Sequence, residues 1–160
     1  MKEIKLTKGK YALVDGDDFG KVNQYEWKAL KRSHGNNKFD VIRNETIDGK
    51  KKIIYMHRFI MNPENSKIQV DHINGNGFDN RKCNLRLCSN SQNNMNKQKR
   101  SDNTSGYKGV SFYKGKFYAE IMKEQTPYKL GTFKTALEAA KAYNAKALEL
   151  HGEFARLNEI

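Results

Sequence analysis

The chain has 160 residues, of which 30 are Lys or Arg and 18 are Asp or Glu, a formal net charge of +12 at neutral pH. That length holds one moderate domain or two small ones, and excludes a large multidomain enzyme. No apolar run approaches the ~18 residues of a membrane span, and Met1-Lys2-Glu3-Ile4-Lys5 lacks the apolar stretch of a signal peptide. Two cysteines, Cys83 and Cys88, are too few for a secreted disulfide scaffold. The balance points to a cytoplasmic protein with a polyanionic partner, nucleic acid first; the bland alternative is charge for solubility alone.

Residues 1–54 alternate short apolar stretches with turn signals and predict a small β-rich unit. Tyr11 to Val14 and Ile42 to Ile47 read as strands, the latter ending at Asp48-Gly49. Asp15-Gly16-Asp17-Asp18 lacks the spacing and terminal Glu of a calcium loop and reads as a tight turn. Trp27 with Tyr25 reads as the core of this unit rather than a stacking platform.

Residues 55–98 are different in kind. Eight of the 23 residues from Asn74 to Asn96 are asparagine, a residue poor in helix interiors and good in loops and caps, because its amide bonds to nearby backbone. Val70 to His72 reads as the end of a strand and Asn84 to Leu87 as its returning partner. Ser89 and Gln92 have capping-box spacing, which starts a helix with Asn93 in its first turn. Polar residues from a hairpin and a helix thus converge. Asp71 offers a hard carboxylate oxygen and Asn93 an amide oxygen, a sparse shell suited to one Mg2+ (or Mn2+) that keeps water and phosphate oxygens. His72, titrating near neutrality, can take a proton from water and make it a nucleophile. Neighbours on a regular strand point to opposite faces, so Asp71 and His72 share a site if the strand ends or bends between them, and Asn74-Gly75 supplies a turn there.

In the last part of the chain, residues 99–104 form a basic linker within an apolar-free stretch from Lys97 to Ser105. Gly106 to Tyr113, Lys116 to Lys123 and Tyr128 to Leu130 then read as three strands. Thr135 and Glu138 have capping-box spacing for a helix that runs to about Leu150 and stops at Gly152. Alternation assigns Val110, Phe112, Ala119, Ile121, Tyr128 and Leu130 to the helix-facing side. Ser111, Tyr113, Glu120, Met122 and Lys129 fall on the outward side, with Lys108 and Lys116 near the edge.

Asp71-His72, Asn84-Leu85-Arg86 and Asn93, in that order and spacing, resemble the HNH endonucleases of the ββα-metal fold, in their phage and homing-type branch. Met56-His57-Arg58-Phe59-Ile60 resembles the short helix that precedes the site there. The resemblance implies His72 as general base, Asp71 and Asn93 as ligands of one divalent ion, and Asn84 as the central Asn that braces the hairpin and the catalytic His. His57, Arg58 and Arg86 are accessory positions. Some members bind structural zinc through paired Cys-x-x-Cys motifs. Cys83 and Cys88 have no second pair, so no structural zinc is expected and both read as buried small hydrophobes.

Ser105 to Asn158 resembles the Apetala/ERF class of DNA-binding domain, through Tyr107-Lys108-Gly109-Val110, Gly115-Lys116-Phe117, Ala119-Glu120-Ile121, Leu130-Gly131-Thr132-Phe133 and Ala139-Ala140 with Ala142-Tyr143. That resemblance implies a sheet lying in the major groove. The DNA-contacting set is then Lys108, Ser111, Tyr113, Lys116, Glu120, Met122 and Lys129, with Lys97, Lys99 and Arg100 from the linker. Plant members carry several arginines on this face, and their absence here removes most bidentate guanine readout.

The expected fold class is α+β: an N-terminal β unit (1–54), a ββα-metal nuclease core (55–98), the linker (99–104), and a three-stranded antiparallel sheet packed on one helix (105–160). The expected activity is metal-dependent cleavage of double-stranded DNA by a homing-type, phage-encoded or host-encoded endonuclease in the bacterial cytoplasm. The competing expectation is a DNA-binding regulator that kept the folds and lost the chemistry. Monomer and dimer are both open.

Overall fold

The computed structural model describes residues 1–32, 38–124 and 126–160. The chain divides into two compact units, Met1–Asn90 and Ser91–Ile160. The class is mixed α+β, with small antiparallel sheets throughout. Among the described residues no helix is long and apolar enough to cross a membrane.

The first unit opens with paired strands β1 (Lys2–Lys5) and β2 (Tyr11–Val14), then α1 (Gly16–Val22). Strands β3 (Lys28–Lys31), β4 (Phe39–Ile47) and β5 (Lys50–Tyr55) make an antiparallel meander. The β4–β5 turn uses Asp48 and Gly49, both at positive φ (51° and 72°), the arrangement whose twist matches a hairpin. Helix α2 (Met56–Met61) leads to the hairpin of β6 (Gln69–His72) and β7 (Leu85–Cys88). One core serves the whole unit: Ile4, Leu6, Ala12, Val14, Val22, Trp27 and Val41 pack with Met56, Ile60, Val70 and Leu85. The N-terminal strands and the α2–hairpin segment therefore cannot bury their apolar faces separately.

Two local expectations differ from this structure. The Asp15–Asp18 segment is a helix start, not an isolated turn: Asp15 is the N-cap residue and Asp17 and Asp18 occupy the first turn of α1. Carboxylates favour that position because unpaired N–H groups concentrate positive potential there, and burial of Val22 holds the helix down. Cys83 is exposed while Cys88 is buried, because Cys83 lies in a single 3-10 turn ahead of β7 rather than on the strand.

The second unit follows from α3 (Asn90–Met95), which begins at its boundary. Strands β8 (Val110–Tyr113), β9 (Lys116–Lys123) and β10 (Thr126–Phe133) form an antiparallel sheet in the order β8-β9-β10, backed by α4 (Ala136–His151). The capping box is present: the Glu138 N–H donates to Thr135 Oγ1 at 3.2 Å and the Thr135 N–H to Glu138 Oε2 at 3.1 Å. Val110, Ala119 and Ile121 are buried, as are Ala139, Ala140, Tyr143 and Ala147 on α4. Phe112 and Tyr128, assigned to the helix-facing side, are 53% and 40% exposed. Their register places them on that side, Phe112 opposite Phe117 and Tyr128 opposite Ile121, but the alanine face of α4 covers only the middle of the sheet. Asn158 straps the C-terminal segment down. Its Nδ2 donates to the Lys108 carbonyl (3.1 Å), its Oδ1 accepts from the Lys108 N–H (2.6 Å), and its own N–H donates to Asn144 Oδ1 (2.8 Å).

Candidate active site

The loop between β6 and β7 is an asparagine network. Asn84 Oδ1 accepts from the Asn74 N–H at 3.0 Å, while its Nδ2 donates to Asn74 Oδ1 (3.0 Å) and to the Asp79 carbonyl (2.8 Å). Asn74 and Asn76 accept from the N–H groups of Asn76 and Phe78, which are Asx turns. The loop is clamped to the rest of the unit from two sides. Leu13 of β2 donates to the Phe78 carbonyl and accepts from the Asn80 N–H, both at 2.8 Å. Gly77 lies so close to β4 that a Cβ there would sit 2.0 Å from the Phe39 carbonyl oxygen; no other residue fits.

His72, the last residue of β6, is buried. Its Nε2 is 3.2 Å from Asn80 Oδ1. Its ring meets that of His57, from α2, edge to face at 5.0 Å, and the Tyr55 ring lies 5.5 Å from His57. Burial pushes His57 down to about 3, helped by the positive charge that His72, Arg32 and Arg58 can place near it. Burial also lowers His72, against opposing contributions from Asn80, Asp40 and Asp71 that favour its charged form. Both imidazoles are therefore neutral at pH 7, which is the state a general base requires.

Asp71 is buried and faces Arg86 across the hairpin: Arg86 Nη2 and Nε donate to Asp71 Oδ2 at 2.9 and 3.1 Å. The strand runs regularly through both residues, with Asp71 opposite Arg86 and His72 opposite Leu85. The expected bend between them is displaced to just after His72, where the Gly75 N–H closes a turn on the His72 carbonyl (2.8 Å). Pleating sends the two side chains to opposite faces at the strand's end.

Arg32 and Asp40 were not anticipated in the sequence. Asp40, buried on β4, accepts from Arg32 Nε at 2.7 Å and from Nη2. This ion pair acts electrostatically on His72 and Asp71. Together Asp71, Arg86, Asp40 and Arg32 carry no net charge, so a bound dication would leave the cluster positive and attractive to phosphate.

The accessory positions resolve unequally. His57 is packed on His72. Arg58 is structural, its Nη1 donating to the Ile68 carbonyl at 2.7 Å and its Nη2 to that of Asn65 at 3.3 Å. Asn93 is half-buried on α3. Among the described residues no group of three or more His, Cys, Asp or Glu is placed to hold a metal ion.

In the second unit, Ser111, Tyr113, Lys116, Glu120, Met122 and Lys129 are exposed on the outward face of the sheet. Tyr118 and Thr132 share that face by register and belong to the same surface; alternation with Lys116 and Glu120 already carried the signal for Tyr118. Lys108 differs from expectation: its amine is turned inward, donating to the Met95 carbonyl, and burial lowers it to about 8. Lys97, Lys99 and Arg100 are exposed, with Lys99 donating to the Gly106 carbonyl at 2.7 Å and Arg100 paired to Asp102.

The family model described as HNH endonuclease matches residues 55–95. That span holds α2, the asparagine hairpin and α3, hence His57, Asp71, His72, Asn84 and Asn93. Over 158 residues the chain is 34% identical to a protein of Acanthamoeba polyphaga mimivirus named as an uncharacterised HNH endonuclease, L560; the alignment covers 96% of this chain and 77% of that protein. The chain belongs to the HNH endonuclease family. As an HNH protein it carries the fold of a nuclease acting on nucleic acid, in a family that generally uses a divalent metal. No solved structure matches the chain.

Proposed function

We propose that this HNH protein is a metal-dependent endonuclease of the homing type that hydrolyses phosphodiester bonds in double-stranded DNA. The observation that carries the reading is His72: a buried imidazole at the end of a hairpin, held by Asn80 and next in the chain to a buried carboxylate. His72 takes a proton from water as the water oxygen bonds to phosphorus. The bond from phosphorus to the leaving oxygen then breaks, and solvent supplies that oxygen's proton. Asp71 and Asn93 are the oxygen donors for a divalent ion, which when bound supplies charge stabilisation to the developing phosphorane and leaving oxygen. Asn84 acts by closing the loop rather than by touching substrate. Arg86 orients the Asp71 carboxylate.

The outward face of the β8-β9-β10 sheet supplies DNA contact in this reading. Tyr113, Tyr118 and Met122 are exposed there with Lys116 and Lys129, a mixture suited to base-edge and phosphate contact in a major groove. Incubating supercoiled plasmid with the protein and Mg2+ or Mn2+ tests the whole. Nicked circles are expected, lost with EDTA and with His72→Ala. A wild-type protein that binds DNA and nicks it under no metal or salt condition removes the nuclease reading in favour of a DNA-binding regulator.

A further inference from the structure

Asn80 is fully buried, and its groups are committed in three directions. Its backbone N–H donates to the Leu13 carbonyl at 2.8 Å, its Nδ2 donates to the Gly77 carbonyl at 3.1 Å, and its Oδ1 lies 3.2 Å from His72 Nε2. An asparagine amide and a neutral imidazole are each ambiguous in isolation, since the amide can be turned over and the proton can sit on either ring nitrogen. The Gly77 carbonyl removes both ambiguities. It can only accept, so Nδ2 must face it and Oδ1 must face the ring. Oδ1 also can only accept, so Nε2 carries the ring proton and Nδ1 carries the lone pair.

The reference carbonyl is itself fixed. Gly77 is pressed against the Phe39 carbonyl, with room for no side chain, and Phe78 is bonded to Leu13. The choice of tautomer is therefore built from β2, β4 and the loop together.

We propose that Asn80 is a positioning residue for the nuclease reaction, holding His72 in the Nε2–H tautomer so that Nδ1 accepts the proton of the attacking water. This rests on the nuclease reading above. When Nδ1 takes that proton the ring becomes a cation that still donates from Nε2 to Asn80, and a charge-assisted bond is stronger than a neutral one. Asn80 thus holds the base before the step and stabilises its conjugate acid after it.

The test is a long-range proton–nitrogen correlation spectrum of the 15N-labelled full chain at neutral pH, with His72 assigned by loss of its signals in His72→Gln. A protonated Nε2 and an unprotonated Nδ1 are expected. Asn80→Leu, which has no acceptor, should mix the tautomers and lower kcat for plasmid nicking by ~10- to 100-fold, the usual effect of losing such an orienting partner, with DNA affinity unchanged. Asn80→Asp keeps an acceptor for Nε2 but has no donor for the Gly77 carbonyl, so Nε2 should stay protonated, with the added carboxylate favouring the charged ring. A wild-type proton on Nδ1, or a Leu variant with the wild-type nitrogen pattern or wild-type nicking, overturns the inference while leaving the nuclease reading intact. A wild type with the expected tautomer that nicks no DNA removes the nuclease reading, and with it this role. If the Leu variant does not fold, the wild-type and Asp spectra still decide.

Discussion

A buried histidine that stays neutral in the fold charges freely once the chain unfolds, and His57 is such a residue. Its native value of about 3 lies well below the ordinary 6.5. As pH falls below 6.5 the unfolded chain binds a proton at this position and the native chain does not. Stability is thus fully present above 6.5 and declines towards pH 3, by about 1.4 kcal/mol per pH unit. Between pH 6.5 and 5 that amounts to roughly 2 kcal/mol from His57 alone. Trp27, the only tryptophan in the chain and buried in the same unit, reports the transition. Denaturant unfolding followed by its fluorescence should show a shallower pH dependence in His57→Gln than in wild type; equal slopes would sink the assignment. His72 keeps some dependence in the variant, because burial lowers it too. Gly77 gives a second residue-scale prediction. Gly77→Ala places a Cβ where the Phe39 carbonyl stands, so the loop must move. A loss of about 2–4 kcal/mol is expected, together with loss of nicking as Asn80 is displaced from His72.

At the scale of elements, what was legible followed how local the signals are. Helix α4 could be read almost to its ends, because the Thr135–Glu138 box, the alanine stripe and Gly152 are all consecutive in the chain. Thr135→Ala should cost about 1 kcal/mol of the second unit's stability, measured by thermal unfolding, and Asn158→Ala more, since Asn158 serves Lys108 and Asn144 at once. The hairpin and its Asp71, His72 and Asn84 were legible for the same reason: spacing within about two dozen residues defines them. Elsewhere local pattern stops short. Alternation assigned Phe112 and Tyr128 to a side of the sheet, but how far α4 reaches along it is a tertiary fact. The Arg32–Asp40 pair has no sequence signature, because it matters only once β4 packs beneath the loop that carries Gly77. Asn80 stood in plain view among many asparagines, and only its bond to His72 distinguishes it.

For the whole molecule, the proposed function gives the surplus of +12 a task, holding DNA, that is separate from the chemistry at His72. Arg32, Asp40, Asp71 and Arg86 around His72 cancel in pairs, so without a bound cation the cluster itself offers phosphate little attraction. Lys50, Lys51 and Lys52 on β5, Lys116 and Lys129 on the sheet, and Lys97, Lys99 and Arg100 are exposed and are the cations that the proposed function assigns to phosphate contact. Phosphate contacts of this kind release counterions, so log affinity falls linearly with log salt, by about 0.9 per contact on duplex DNA. Replacing Lys97, Lys99 and Arg100 together by Ala should flatten that slope by roughly 2 to 3 and weaken all sequences alike. Fluorescence anisotropy with labelled duplexes across a salt series measures both. Arg100 is already paired with Asp102, so it should contribute least of the three, and the single variants should rank accordingly. An unchanged slope would place the DNA away from this segment. A change in sequence preference would mean that these side chains read bases rather than phosphates.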